Sequence, residues 1–219
     1  MTDAPGPQQP ADLAEVRDSY DRVADAYVEM GAGDLSPEPW LRAVLSAFAE
    51  EVRGRGPVLD VGCGPGTVTA HLAGLGVDVR GVDLSPRMVD HARRLHPGQR
   101  FSVASATDLR LGPASLGGVL GWWSLFNLPR DVLPGVLASF AAALVPGGQV
   151  VVGTHAGDGD VRRTEAYGGV PVRWTTHLWQ PEQLSALLVA AGLEPVVELR
   201  FPPAPPVGRP QVLLVARRP

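Results

Sequence analysis

Lysine is absent from this 219-residue chain; all 19 of its basic residues are arginine. A catalytic Schiff base on a lysine of its own is therefore excluded. Cysteine occurs once, at Cys63, which rules out an internal disulfide and points to a reducing, cytoplasmic setting. No stretch approaches the ~18 apolar residues of a membrane helix. The opening Met-Thr-Asp-Ala-Pro-Gly-Pro lacks the basic and apolar regions of a signal peptide, so no membrane association is expected. Basic charge is also thin. The formal net charge is −4 and no basic stripe exists to neutralise phosphates, so nucleic acid is not an expected partner. No metal site is expected either.

What remains is an ordinary globular composition, 45% hydrophobic and 19% charged, at a length that fits a single domain over residues 1–219. Residues 1–10, rich in Pro, Gly and Gln, read as a disordered tail. Apolar and aromatic residues at helical spacing (Leu13, Val16, Tyr20, Val23, Tyr27) predict one or two helices over 12–30. Leu41, Val44, Leu45 and Phe48 predict another over 40–52. From there strands at 58–61, 77–82, 100–103, 119–123 and 149–154 alternate with helices at 67–75, 86–95 and 130–144. This is an α/β pattern: a mostly parallel sheet with helices on both faces. A helix at 181–191, capped by Gly192, precedes strands at about 194–201 and 211–216. Their proline-rich joint is too short for a helical crossover, so this last pair is expected to be antiparallel.

Residues 58–66, Val-Leu-Asp-Val-Gly-Cys-Gly-Pro-Gly, run an apolar strand straight into three alternate glycines. Glycine lets the backbone turn sharply and approach a ligand with no Cβ in the way. The helix that follows aims its free N–H groups at that ligand. Asp83 ends the next strand, where a carboxylate can accept both hydroxyls of a ribose. Its other reading, as a helix N-cap, is better filled by Ser85 before Pro86.

The segments Asp60–Gly66, Gly81-Val82-Asp83-Leu84-Ser85 and Leu144-Val145-Pro146-Gly147-Gly148, in this order and spacing, resemble motifs of the class I S-adenosylmethionine-dependent methyltransferases. The resemblance covers residues ~50–219 and implies a Rossmann-like seven-stranded sheet with an antiparallel C-terminal strand pair. It also implies S-adenosylmethionine as cofactor and, in a monomer or homodimer, a small organic acceptor. Residues 19–27, Ser-Tyr-Asp-Arg-Val-Ala-Asp-Ala-Tyr, are similar to the N-terminal helix that small-molecule members fold over the cofactor. Residues 12–52 are accordingly expected to be a helical lid.

The resemblance further implies a set of cofactor contacts. Tyr20 would reach the cofactor's carboxylate, while Asp60 would reach its amine or simply fix the loop. Gly62, Cys63 and Gly64 would form the turn beneath it, with Cys63 kept small rather than acting as a nucleophile. Asp83 would hold the ribose. Leu84 and Met88 would flank the adenine on one side and Ser105, Ala106 and Thr107 on the other. Many relatives carry an acid where Ser105 stands; here Ser105, Asp108 or a backbone carbonyl would take the adenine amino group.

At the reaction centre, strand alternation is expected to send one of Trp122 and Trp123 into the core and the other, Trp123 for preference, into the pocket. An aromatic face there favours a sulfonium through cation–π attraction. His155 is the candidate general base, its alternative being a loop histidine without catalytic duty. Tyr27, Trp123, His155, Tyr167 and Trp174 are the expected acceptor contacts. Residues 156–180 then form a substrate loop over the pocket mouth, or a hairpin that packs the N-terminal helices. Two rival functions compete with methyl transfer. A nicotinamide oxidoreductase is disfavoured because Gly62-x-Gly64-x-Gly66 lacks the Gly-x-Gly-x-x-Gly spacing, residue 67 being Thr. A cofactor-binding protein of this fold that catalyses a non-methylating reaction, such as cyclisation, stays open.

Overall fold

A computed structural model describes residues 11–203 and 208–219. The expected disordered tail at 1–10 and the middle of the proline-rich joint lie outside these residues. Seven strands form one sheet in the order β3-β2-β1-β4-β5-β9-β8. They are β1 (Val58–Val61), β2 (Val79–Asp83), β3 (Arg100–Val103), β4 (Leu116–Trp122), β5 (Leu144–His155), β8 (Glu194–Phe201) and β9 (Gln211–Arg217). The first five run parallel, whereas β9 pairs antiparallel with both β5 and β8. This is the Rossmann-like sheet with an antiparallel final pair that the residue pattern predicts. Chain order reverses between β1 and β4, and ligands of open α/β sheets bind beyond the carboxyl ends of strands at such a point.

Alternation along the strands divides the core in two. Val119, Val150, Val152 and Leu214 face α5 (Leu133–Ala143) and α6 (Pro181–Ala190) through Leu137, Phe140, Leu184 and Leu188. Leu120, Val151, Leu213 and Val215 face α2 (Pro39–Val52) and α3 (Thr67–Gly74) through Leu45, Phe48, Val68 and Leu72. The expected 12–52 lid is thereby corrected. Helix α2 is a layer of the core, because Leu45, Phe48, Ala49 and Val52 are all buried on it. Only α1 (Ala11–Glu29), one continuous helix, crosses the carboxyl edge, where it contacts α4 (Pro86–Leu95).

Several boundaries move from their expected places. Helix α5 starts at Leu133 rather than near Arg130, with a proline in its first turn. Strand β4 begins three residues early because Leu116 already pairs with Leu144, with a register shift before Gly118. The largest correction concerns residues 156–180. They are no irregular loop: β6 (Asp160–Ala166) and β7 (Val170–His177) form a separate antiparallel hairpin. Its turn places Tyr167, Gly168 and Gly169 at φ 44°, 83° and 84°, the left-handed geometry that a tight hairpin needs. The hairpin packs on α1, as the alternative reading of this segment had it. Among the described residues no helix is long and apolar enough to cross a membrane.

Phe140 is fully buried between α5 and the sheet. Phe140→Ala should cost about 3–5 kcal/mol of unfolding free energy, read from the shift in urea midpoint at constant m-value.

Candidate active site

The glycine loop after β1 is shaped by what surrounds each glycine. Gly62, Gly64 and Gly66 all adopt left-handed φ, at 74°, 52° and 87°. A Cβ on Gly62 would stand 2.2 Å from the Ser124 Cβ, and one on Gly66 would stand 2.6 Å from the Phe101 ring. A Cβ on Gly64 would meet nothing within 4 Å. The first and third glycines thus let the loop pack, and the second leaves its surface open on the ligand side. The Gly62 and Cys63 N–H groups both donate to the Val82 carbonyl, at 2.8 and 3.0 Å.

Two carboxylates stand over this loop. Asp83 accepts from the Gly64 and Ser85 N–H groups, each at 2.8 Å. Burial pushes it up to about 6, against the pull of those same backbone bonds. Asp60 is 1% exposed and accepts from the Thr69 hydroxyl at 2.7 Å through Oδ2. Burial pushes Asp60 up to about 7, and Asp83 adds to the rise. Its Oδ1 is buried and has no partner among the described residues. An orphaned carboxylate oxygen is costly unless a donor completes it. The pair favours a cationic ligand, and an ammonium group is a donor of the right sign.

Three elements close over the carboxyl edge. On α1, Ser19 accepts from the Arg173 N–H at 2.9 Å, and the Arg22 guanidinium donates to the Pro171 carbonyl at 3.1 Å. Asp21 accepts from the Ser85 hydroxyl and the Arg87 N–H, so its charge lies at the N-terminus of α4. Tyr20 stacks on Trp174, with ring centroids 4.7 Å apart and planes 1° from parallel. Its hydroxyl donates to the Asn127 Oδ1 at 3.0 Å, and the Asn127 amide donates onward to the Thr175 carbonyl at 2.9 Å. Asn127 and Asp21 were missed by the sequence reading. A lone asparagine after the apolar run that ends β4, and an acid one position after Tyr20, are the sequence signals that mark them.

Other expected contacts divide. Leu84, Ala106 and Thr107 are half-buried, and Ser105 is buried with its hydroxyl engaged to Thr107 at 2.8 Å. Asp108 is exposed. Met88 is 2% exposed and packs with Val16, Val23, Ala24, Val172 and Trp174, so α1 and the hairpin, not an open pocket, cover it. Cys63 turns its side chain into a core with Val89, Ala92 and Phe101. Burial raises its thiol well above the ordinary value. Its side chain therefore faces away from the site, and only its backbone belongs to the loop.

The two tryptophans correct a premise. Trp122 follows strand alternation to the α2 side, but Trp123 lies just beyond β4 at φ 49°. That left-handed residue breaks the alternation and returns its ring to the same side. There it packs on Gly153 and meets Trp122 edge-on at 5.1 Å. Trp174, expected to touch an acceptor, is buried behind Tyr20. Tyr27 and Tyr167 remain half-buried, with rings 4.8 Å apart. His155 ends β5 against Phe126, at 4.9 Å between rings, with a buried and unpartnered Nδ1. Burial, then the charges of Arg163 and Arg209, lower it to about 4. It is neutral at pH 7, as a proton acceptor must be, though weakly basic.

Fold and site together define an α/β domain whose glycine loop lies against two buried carboxylates, one of them with an oxygen left for a donor. Residues 58–148 match a family model described as a methyltransferase domain. Demethylmenaquinone methyltransferase of Tropheryma whipplei (strain Twist) is 34% identical over 143 residues. That alignment covers 64% of this chain and 58% of the relative, so the chain spans less than two thirds of that protein's length. N-demethylindolmycin N-methyltransferase of Streptomyces griseus is 28% identical over 187 residues, covering 73% of this chain and 79% of the relative. Among solved structures, a 1,6-didemethyltoxoflavin-N1-methyltransferase of Burkholderia thailandensis is 26% identical with a TM-score of 0.69. It covers 99% of this chain and 93% of its own, and was solved with 1,6-didemethyltoxoflavin and S-adenosylhomocysteine bound. Residues 58–148 thus match a methyltransferase domain, and nearly the whole chain is similar in fold to a methyltransferase that binds S-adenosylhomocysteine.

The raised pKa of Asp60 has a measurable sign. Because the folded value lies above the ordinary 3.8, its stabilising contribution is full below that pH and is lost as pH rises to about 7. Asp60→Asn removes the titration. Relative to the wild type, the variant should gain stability as pH rises from 3.8 to about 7 and hold level above it. Paired urea unfolding across that window decides the matter; a gap independent of pH would mean that Asp60 ionises normally in the folded chain.

Proposed function

We propose that this chain transfers a methyl group from S-adenosylmethionine to an oxygen or nitrogen of a small organic acceptor. It would work in the cytoplasm as a monomer or homodimer. The observation that carries the reading is the orphaned Oδ1 of Asp60, buried on the strand that leads into the glycine loop and within electrostatic reach of Asp83. The cofactor fits these residues: Asp60 would accept from its ammonium group and Asp83 from its ribose hydroxyls. When bound it would supply a methyl group on a sulfonium, whose neutral thioether is the leaving group in a direct displacement. The names of relatives support a small acceptor, two of them being N-methyltransferases.

The chain's own part is positional. In-line displacement needs nucleophile, methyl carbon and sulfur held in a row with water excluded. Helix α1 and the β6–β7 hairpin provide the cover, and Tyr20, tied to Asn127 and stacked on Trp174, fixes one wall. His155, kept neutral by burial and by two arginines, would receive a proton where the acceptor must lose one. An acceptor that is already a free amine needs no such step.

S-adenosylhomocysteine at about 100 times its dissociation constant should stabilise the chain by roughly 2.7 kcal/mol, and NAD should not stabilise it. Asp83→Asn should weaken cofactor binding by about tenfold or more. With an active acceptor, product and S-adenosylhomocysteine should appear in equal amounts. Turnover without its release would establish the non-methylating alternative. For a hydroxyl acceptor, His155→Gln should lower kcat by about 100-fold or more with little change in cofactor affinity.

A further inference from the structure

A half-buried charge without a counter-ion is unfavourable unless something else completes it. Exposed arginines such as Arg80 and Arg162 are solvated by water. Arg163 and Arg209 differ: both are half-buried, and among the described residues neither makes a hydrogen bond or an ion pair. Both charges act on one side chain, His155. Arg163 on β6 pairs directly with Trp174 on β7, and directly opposed residues share one face of a hairpin. Trp174 is buried and stacks on Tyr20, so Arg163 stands on the face turned toward α1.

Arg209 arrives from the other side. The Pro210 carbonyl accepts the Ala156 N–H at 2.8 Å, and Gln211 pairs with His155. Arg209 therefore lies beside the end of β5. His155 ends β5 beside Arg209, its Nδ1 buried and unpartnered. Both guanidinium charges act on that imidazole, and Arg163 acts also on Tyr167.

We propose that Arg163 and Arg209 form an oxyanion-binding subsite beside His155, and that the methyl acceptor carries a carboxylate or phosphate group that occupies it. The identity of the bound molecule as the acceptor rests on the methyl-transfer reading; the subsite itself does not. The planar fork of a guanidinium suits either oxyanion, which it can grip with two parallel hydrogen bonds. The subsite also couples binding to chemistry. Burial is the larger cause of the weak basicity of His155 and the two charges add to it, so an anion there offsets their share and makes the imidazole a better proton acceptor when an acceptor molecule is in place.

The probes are hydroxybenzoates, phenyl phosphate and the matching hydroxybenzamides, titrated by calorimetry into the full chain with and without saturating S-adenosylhomocysteine. At least one oxyanion should bind tenfold or more tightly than its neutral counterpart, and the stronger of carboxylate and phosphate identifies the group. Arg163→Gln and Arg209→Gln should each remove most of that preference while changing S-adenosylhomocysteine affinity by less than twofold. By NMR, the His155 titration should move upward on binding the oxyanion, but not the amide, in the unmodified chain. Equal binding of acids and amides, no binding of any acid, or a preference that survives both substitutions would overturn the subsite. Failure of the chain to bind S-adenosylhomocysteine would count instead against the methyl-transfer reading, and the anion preference measured without it would still decide the subsite.

Discussion

The carboxyl edge of this sheet is organised by two carboxylates held where water reaches them poorly. Asp60, one residue before the end of β1, and Asp83, the last residue of β2, lie on adjacent parallel strands, and burial raises both above the ordinary carboxylate range. Neither is idle in the fold. Asp83 holds the Gly64 and Ser85 N–H groups, and Asp60 holds the Thr69 hydroxyl on α3. The glycine loop, the start of α4 and the first turn of α3 are all registered against this pair. Keeping two acids so close is unfavourable for the empty fold and favourable for a cationic ligand, so the same constraint that shapes the loop selects what binds above it.

The cover over that edge is built from segments distant in sequence. Ser19 and Arg173, 154 positions apart, exchange hydrogen bonds between α1 and β7. Tyr20, Asn127 and Thr175 then join α1, the turn after β4 and the hairpin in one chain of donors and acceptors. With the aromatic stack of Tyr20 on Trp174, these bonds hold helix and hairpin as one unit. Both polar and apolar contacts are needed there, because α1 packs on the small two-stranded hairpin rather than on the main sheet.

Much of this was legible beforehand for local reasons. An apolar strand running into alternate glycines reports its own geometry, and Asp83 follows at the end of the next strand because strand and helix lengths fix the spacing. Other residues resisted the same treatment. Trp122 and Trp123 were expected to part, and one left-handed φ put them together. Met88 and Trp174 carry apolar side chains that suit a pocket wall or a core equally well, and only the docking of α1 assigned them to the core. The β6–β7 hairpin escaped a strand assignment because its alternation is interrupted by a register shift between Arg163 and Glu165.

The sequence by itself determined the Rossmann-like sheet, its antiparallel finish, the glycine loop and the acid beside it. Each of these follows from residue periodicity or from backbone freedom within a few positions. Only the tertiary structure decided that Cys63 faces inward, that α2 belongs to the core, that Asp60 keeps one oxygen unsatisfied, and that the charges of Arg163 and Arg209 both act on His155. Those outcomes depend on which distant segments come to lie beside one another, and no local spacing of residues records that.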